Sequence, residues 1–298
     1  MAISKFLDPK NDIAFRRIFG SEKNKDILIH FINDILCLKG ENKVQEVMFL
    51  PTIQDPEIAS KKQSIVDVLC KDDNGIQIIV EMQVSPQEGF AKRAQYYAAK
   101  AYSRQLNQGK GVGFRYTDLK AIIFIAISDY IVFTDKPAYK SDHIILDKDI
   151  YSHDLQDFSF TFIELPKFKI TNISLLSSIV EKWCYFFKYA DQTRESDLEF
   201  LIGSDSVIQR AYEELNQFNW TEAELLTYEQ ELKRVMDNQA VEDYQRTQGR
   251  AEGRAEGRAE AIKQMAQIML TKQRPIDEII AYTGLSKKEV ENMQKNKD

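Results

Sequence analysis

A predicted β-hairpin constrains the fold of this chain more than any other segment. Two apolar, β-prone runs, SIVDVLCK and IQIIVEMQV, flank Asp73, Asn74 and Gly75, and a turn of this composition between such runs is typical of a tight hairpin. Each run carries one acid, Asp67 in the first and Glu81 in the second. A charge on a buried sheet face is costly unless another group compensates it, so these two acids need an explanation.

The length of the hairpin loop decides whether the two acids meet. A three-residue loop with Gly75 in the left-handed conformation places Asp67 opposite Glu81. Gln83 lies two residues after Glu81, so its side chain emerges on the same face of the strand. A four-residue loop shifts the register by one residue and weakens this alignment.

Facing carboxylates repel each other, and a bound cation relieves the repulsion. Mg²⁺ prefers oxygen ligands and commonly uses one or two carboxylates together with water and phosphate oxygens. Asp67 and Glu81 are therefore candidate metal ligands. The alternative interpretation is a solvated sheet face on which both acids are simply hydrated.

The order of the remaining elements predicts an α/β fold of mixed type, with a central mixed β-sheet flanked by helices. Periodicity and end signals indicate helices over residues 7–20, 24–38 and 87–109 and strands over 44–50, 119–127, 142–147 and 158–165. Asp8 or Asn11 is the candidate cap of the first helix, and Gly109 the stop of the third. From about residue 174 the chain is predicted to be helical.

We expect three parts: 1–170 as the sheet domain, 171–240 as helices that pack on it or extend it, and 241–298 as a helical tail. The net charge of −6 belongs to the C-terminal third and does not by itself indicate a nucleic-acid partner. No stretch is apolar enough for a membrane span, and three widely spaced cysteines favour reduced thiols. A cytoplasmic protein is the simplest expectation.

Residues 86–120 are locally basic, with seven Lys or Arg residues against two acids. A basic helix face of this kind binds phosphates even on an acidic chain, although a solvated surface has the same composition. The candidate nucleic-acid-binding residues on the predicted helix are Lys92, Arg93, Tyr97, Lys100 and Arg104.

The tail contains the motif Gly-Arg-Ala-Glu three times, beginning at Gly249, Gly253 and Gly257. A four-residue period on a helix aligns glycines, arginines and glutamates in separate rows, and like charges at this spacing destabilise an isolated helix. A partner helix that packs on the glycine row would compensate, so homo-oligomerisation is one hypothesis and a flexible charged linker the other. The segment 274–293 resembles a short helical hairpin, for which Ser286 and Glu289 form a candidate capping box.

Several segments together resemble the PD-(D/E)XK nuclease superfamily, and more narrowly its recombination-promoting nuclease and transposase family. The matching blocks are DPKNDIAFRRIFG, VDVLCKDDNGIQIIVEMQ, RAQYYAAKAYSRQLNQGKG and FTFIELPKF, in this order over about residues 5–170. The resemblance implies a restriction-endonuclease-like core. It also implies a magnesium-dependent DNA endonuclease, with Mn²⁺ able to substitute, which acts in recombination or in the mobility of DNA.

The resemblance also implies roles for individual residues. Asp67 and Glu81 would ligate the metal, with the carbonyl of Met82 as a further ligand. Gln83 occupies the position of the superfamily's lysine and brings no positive charge. Asp12 is the preferred further acid from the first helix, with Asp8 as the alternative. The competing function is a catalytically weak or inactive DNA-binding protein that retains the nuclease fold.

Overall fold

The computed structural model describes residues 5–54, 64–108, 115–203 and 205–295, and it contains nine α-helices and eight strands within these ranges. The helices are α1 (Asp12–Phe19), α2 (Lys25–Ile35), α3 (Phe90–Gln108), α4 (Ile179–Tyr189), α5 (Glu195–Ile202), α6 (Ser206–Leu215), α7 (Glu222–Thr271), α8 (Ile276–Thr283) and α9 (Lys287–Lys295). The strands are β1 (Val47–Phe49), β2 (Ile53–Gln54), β3 (Ser64–Ile65), β4 (Val68–Asp72), β5 (Gln77–Gln83), β6 (Ile122–Ser128), β7 (Lys140–Ile144) and β8 (Phe158–Glu164).

Six of these strands form one mixed sheet in the order β1-β4-β5-β6-β8-β7. The central pairs β5–β6 and β6–β8 are parallel, whereas β1–β4, β4–β5 and β7–β8 are antiparallel. Helix α3 connects two parallel neighbours, β5 and β6, as such a connection requires. The predicted mixed sheet with flanking helices is confirmed.

The hairpin between β4 and β5 has the predicted three-residue loop. The N–H of Asp72 donates to the carbonyl of Ile76 at 3.0 Å, which leaves residues 73–75 as the loop. Gly75 has φ +82°, a conformation that L side chains rarely adopt. The paired residues run from Lys71 opposite Gln77 to Val68 opposite Val80, which is the register expected from the sequence.

One predicted strand is interrupted. The run SIVDVLCK forms β3 and β4 with a break at Val66 and Asp67, so the expectation of one continuous strand is wrong there. At the break the N–H of Asp67 donates to the side chain of Glu81 instead of to a strand backbone. The break thus lies at one of the two acids that the hairpin was expected to bring together.

Each face of the large sheet has its own core. On one face α1, α2 and α4 pack with fully buried aromatic side chains, among them Phe19, Phe31 and Trp183. On the other face α3 packs through Phe90 and a row of buried alanines. Asn11 caps α1 by accepting the N–H of Ile13 at 2.9 Å, which selects one of the two predicted cap residues.

The chain divides into two compact units, Met1–Lys233 and Arg234–Asp298. In the second unit Ala266, Ile279 and Val290 form a small buried cluster. The predicted capping box is present, because the hydroxyl of Ser286 accepts the N–H of Glu289 and the backbone N–H of Ser286 donates to the Glu289 carboxylate. The predicted division at residues 170 and 240 stays a prediction.

The Gly-Arg-Ala-Glu repeat lies within α7, a helix of 50 residues. The predicted stop at Gly109 lies outside the described residues, and α3 is described up to Gln108. Among the described helices none combines the length and the apolar character that a membrane crossing needs.

Candidate active site

Reciprocal hydrogen bonds join Asp67 to the strand that carries Glu81. The backbone N–H of Asp67 donates to Oε2 of Glu81 at 3.1 Å, and Oδ2 of Asp67 accepts the N–H of Met82 at 2.8 Å. Each acid therefore accepts a backbone donor from the other strand at the end of the hairpin. These bonds orient both side chains where the pairing between β4 and β5 has stopped.

Gln83 links the neighbouring polar groups. Its Nε2 donates to Oε1 of Glu81 at 3.0 Å and to the carbonyl of Met82 at 2.9 Å. Oε1 of Glu81 and the carbonyl oxygen of Met82, both expected from the sequence to ligate a metal, thus lie on either side of Nε2 of Gln83. The Oε1 of Gln83 accepts a hydrogen bond from Nη2 of Arg93 on α3, and the same guanidinium nitrogen lies 3.9 Å from Oε1 of Glu81.

Burial makes the two carboxylates hard to ionise together. Glu81 is 4% exposed, and burial followed by the charge of Asp67 raises the pKa of Glu81 to about 8. Burial followed by the charge of Asp12 raises the pKa of Asp67 to about 6, although the N–H of Met82 and Arg16 oppose this shift. Acids in a polar pocket with raised pKa values are frequent at functional sites, because their repulsion is available to be relieved by a cation.

Helix α1 brings two charged residues towards the pair. The charge of Asp12 raises the pKa of both Asp67 and Glu81, so Asp12 lies within electrostatic reach of the site. Nη2 of Arg16 lies 3.5 Å from Oδ1 of Asp67. Asp8, the alternative to Asp12, contacts Lys10 instead, with its Oδ1 3.2 Å from the ammonium nitrogen.

Arg16 is a site residue that the sequence interpretation missed. A signal was present, because Arg16 follows Asp12 by four residues and therefore shares its face of a helix. Gln87 was also missed; it accepts a hydrogen bond from Arg93 just before α3 begins. It lies in a polar loop whose position next to the site follows only from the tertiary structure.

Four of the five candidate DNA contacts form one stripe along α3. Arg93, Tyr97, Lys100 and Arg104 are spaced at helical intervals, and all four are half-buried. Tyr97 lies close to the acids, since burial and then the charges of Glu81 and Asp67 raise the pKa of its hydroxyl against the opposing effect of Arg93. Lys92 is exposed and lies one residue outside this stripe.

The donor set suits a hard divalent cation. The two carboxylates and the Met82 carbonyl are all oxygen donors, and Mg²⁺ usually completes its shell with water and phosphate oxygens. Among the described residues no group of three or more His, Cys, Asp or Glu side chains is arranged to hold a metal. The pair is thus an open set of oxygen donors rather than a closed protein cage.

The mixed sheet, with paired acids on the hairpin and a helix crossing to the next parallel strand, defines a nuclease fold of the PD-(D/E)XK class. A family model for PD-(D/E)XK nuclease family transposases matches residues 9–245. The chain belongs to this family, which implies a nuclease-type hydrolase with DNA as substrate. None of the curated proteins and none of the solved structures matches the chain significantly.

Proposed function

We propose that this protein is a magnesium-dependent DNA endonuclease that acts in DNA recombination or in the mobility of DNA elements. The observation that carries the proposal is the buried pair of Asp67 and Glu81, tied together by reciprocal hydrogen bonds. Two buried acids of this kind destabilise a fold unless they serve a bound cation. A cytoplasmic location is part of this proposal.

Asp67, Glu81 and the carbonyl of Met82 would hold the ion, which is Mg²⁺ with Mn²⁺ as a substitute. Such an ion lowers the pKa of a bound water and neutralises charge on a phosphate under attack. The chain prepares the site by fixing both carboxylates with backbone donors. Gln83 keeps Oε1 of Glu81 and the Met82 carbonyl close to each other.

The proposed reaction is phosphodiester hydrolysis. The oxygen of a water molecule forms a bond to phosphorus while the bond from phosphorus to the leaving ester oxygen breaks. The water loses one proton and the leaving oxygen gains one, so the products are a phosphate monoester and a hydroxyl group. Gln83 can orient the attacking water by hydrogen bonding, and Asp12 is proposed as a further acid that assists from α1.

DNA is proposed to contact α3. Arg93, Tyr97, Lys100 and Arg104 present a basic and aromatic stripe that begins at the acids, and Lys92 adds an exposed charge. Phosphate contacts of this kind position the duplex without reading its sequence. Salt should therefore weaken binding strongly.

A second candidate function is a DNA-binding or regulatory protein with weak or absent catalysis. The observation that favours it is Gln83, whose neutral side chain stands beside the acids. Retention of both acids, already oriented by backbone donors, favours the active enzyme instead.

Cleavage of supercoiled plasmid separates the two functions. The wild-type protein with Mg²⁺ is expected to nick or linearise the plasmid, and Asp67→Ala to lose at least about 10³-fold in rate, since a metal ligand supplies several kcal/mol of charge stabilisation. Asp73→Ala, an exposed acid on the same hairpin, is the matched control and should cleave like the wild type. Cleavage by every preparation, including one with EDTA, would reveal contamination, and cleavage by none would favour the non-catalytic protein.

We also propose that the tail mediates homo-oligomerisation. Gly249, Gly253 and Gly257 lie on a helix, with open space where each Cβ would be, so another chain can approach closely at this row. Replacing all three by Ala should favour the isolated helix by roughly 1 kcal/mol per site yet disrupt an assembly that packs on the glycines. Light scattering should show fewer chains per particle for this variant and for a deletion of 246–262. An unchanged oligomeric state of both would rule out self-association through the repeat.

A further inference from the structure

The candidate active site carries an excess of negative charge next to a neutral amide. Glu81 is a buried acid and Asp67 a largely buried one, and Gln83 contributes hydrogen bonds but no charge. Phosphodiester hydrolysis increases negative charge on the non-bridging oxygens as water attacks. A cationic side chain that reaches the phosphate from elsewhere in the fold would add to the charge that a bound cation supplies.

Two guanidinium groups reach the acids, and they differ in how firmly they are held. Arg16 has 47% of its side chain exposed, and its Nη2 lies 3.5 Å from Oδ1 of Asp67. Arg93 is 27% exposed and donates hydrogen bonds to both Gln83 and Gln87. Its guanidinium also lies over the ring of Phe90, at 5.0 Å from the centroid. Arg93 is thus the more rigidly positioned of the two cations.

We propose that Arg93 is a catalytic residue that supplies, from α3, the positive charge which the strand position of Gln83 lacks. This inference rests on the proposed nuclease function. Because Nη2 of Arg93 bonds to the amide oxygen of Gln83, the guanidinium brings its charge to the end of that side chain. An arginine stays protonated at every working pH and can offer two donors to a phosphate.

The remaining donor of Arg93 supports the assignment. Its Nε is buried and has no hydrogen-bond partner among the described residues. A buried donor without a partner is costly in a fold that has no use for it. The neighbouring Tyr97 ring, with its centroid 5.8 Å from the guanidinium carbon, restricts the side chain further. Arg93 therefore keeps hydrogen-bonding capacity that the described part of the fold does not use.

A purely structural role for Arg93 makes different predictions. If Arg93 only offsets the charge of Glu81, its removal should affect stability and leave the chemical step unchanged once DNA is bound. If it is only one of several phosphate contacts on α3, its removal should weaken DNA binding and cleavage in parallel.

A charge-relocation experiment distinguishes these roles. We compare wild type, Arg93→Gln, Gln83→Lys and the double variant Gln83→Lys/Arg93→Gln in single-turnover cleavage of a saturating DNA duplex with Mg²⁺. Lys39→Gln, an exposed cation in the loop between α2 and β1, is the matched control. Affinity for the same duplex is measured separately with Ca²⁺ by fluorescence anisotropy, and the free energy of unfolding by urea.

Arg93→Gln is expected to lower the single-turnover rate by about 10²-fold, the typical loss when one preorganised donor to a developing charge is removed. Its DNA affinity should change by less than about tenfold, as for one phosphate contact among several. In the double variant the new lysine should restore at least about tenfold of the rate, since it returns a cation to the strand position.

Mn²⁺ binding without DNA provides a readout that is independent of turnover. At about pH 9 the carboxylates ionise more readily. There Arg93→Gln should bind Mn²⁺ several-fold more tightly, because the substitution removes a positive charge that lies 3.9 Å from Glu81 and repels the metal. The double variant should return towards the wild-type affinity. Electron paramagnetic resonance of free Mn²⁺ measures the Mn²⁺ affinity of each variant.

The possible failures are separable. One failure concerns Arg93 alone, in a wild-type protein that cleaves DNA. If Arg93→Gln then keeps the wild-type rate, or if Gln83→Lys does not rescue the rate of Arg93→Gln, the role of Arg93 is overturned and the nuclease function stands. A wild-type protein that does not cleave, while Mn²⁺ binding is insensitive to both substitutions, overturns the nuclease function and the role of Arg93 together.

Discussion

Without divalent metal, the protein is expected to lose stability as the pH rises from about 4 to about 8. Burial raises the pKa of Glu81 to about 8, far above the value of about 4.3 for an unfolded glutamate, so the native state retains a proton that the unfolded state releases. The contribution is fully present below the unfolded pKa and is lost as the pH passes through the folded pKa. The expected loss is about 5 kcal/mol in the free energy of unfolding, since a pKa difference of one corresponds to about 1.4 kcal/mol.

Urea titrations in EDTA at several pH values measure this slope. Glu81→Gln removes one of the two charges and keeps an oxygen acceptor for the N–H of Asp67. The slope should become clearly smaller, with a remainder from Asp67, whose pKa burial also raises, and the variant should be more stable than wild type at pH 8. Glu88→Gln, an exposed acid shortly after β5, serves as the matched control and should retain the wild-type slope. A wild-type stability that rises over this pH range would contradict the assigned cost of the pair.

Added Mg²⁺ should reverse this loss of stability in the wild-type protein but not in Glu81→Gln. A ligand that binds only the native state at a hundred times its dissociation constant stabilises it by about 2.7 kcal/mol. Mg²⁺ at pH 8 should therefore stabilise wild type and have little effect on Glu81→Gln.

The second large effect is expected at a buried ion pair at the end of β8. Nζ of Lys167 lies 2.5 Å from Oε2 of Glu164, and Oε1 of Glu164 accepts the N–H groups of Val132 and Phe133. Both side chains are almost fully buried. Lys167→Met should destabilise the protein by about 3 to 5 kcal/mol, because Glu164 is left as a buried charge without a counterion.

The double variant Glu164→Gln/Lys167→Met tests this explanation. It removes both charges and keeps an amide oxygen for the loop donors, so it should recover most of the lost stability in urea unfolding. Equal destabilisation of the single and double variants would show that lost packing, not an unpaired charge, is responsible. Plasmid cleavage by the double variant should remain, since the pair lies outside the proposed set of metal ligands.

The hairpin and its register could be predicted because they depend on neighbours in sequence. The turn residues 73–75 set a three-residue loop, and the loop sets which residues of β4 and β5 face each other. The same local logic gave Asn11 as one of two candidate caps and predicted the capping box at Ser286. The break in the first run was not predicted, since it arises where side chains of Asp67 and Glu81 replace backbone pairing.

The sequence by itself determined most strands and helices of the sheet, the hairpin that brings Asp67 near Glu81, and the family. Only the tertiary structure decided which residues from distant segments surround the pair. Arg16 on α1 precedes the hairpin in sequence and Arg93 on α3 follows it, yet both lie close to the acids. Turn and periodic patterns act over a few residues, whereas the approach of these helices depends on packing against the two faces of one sheet.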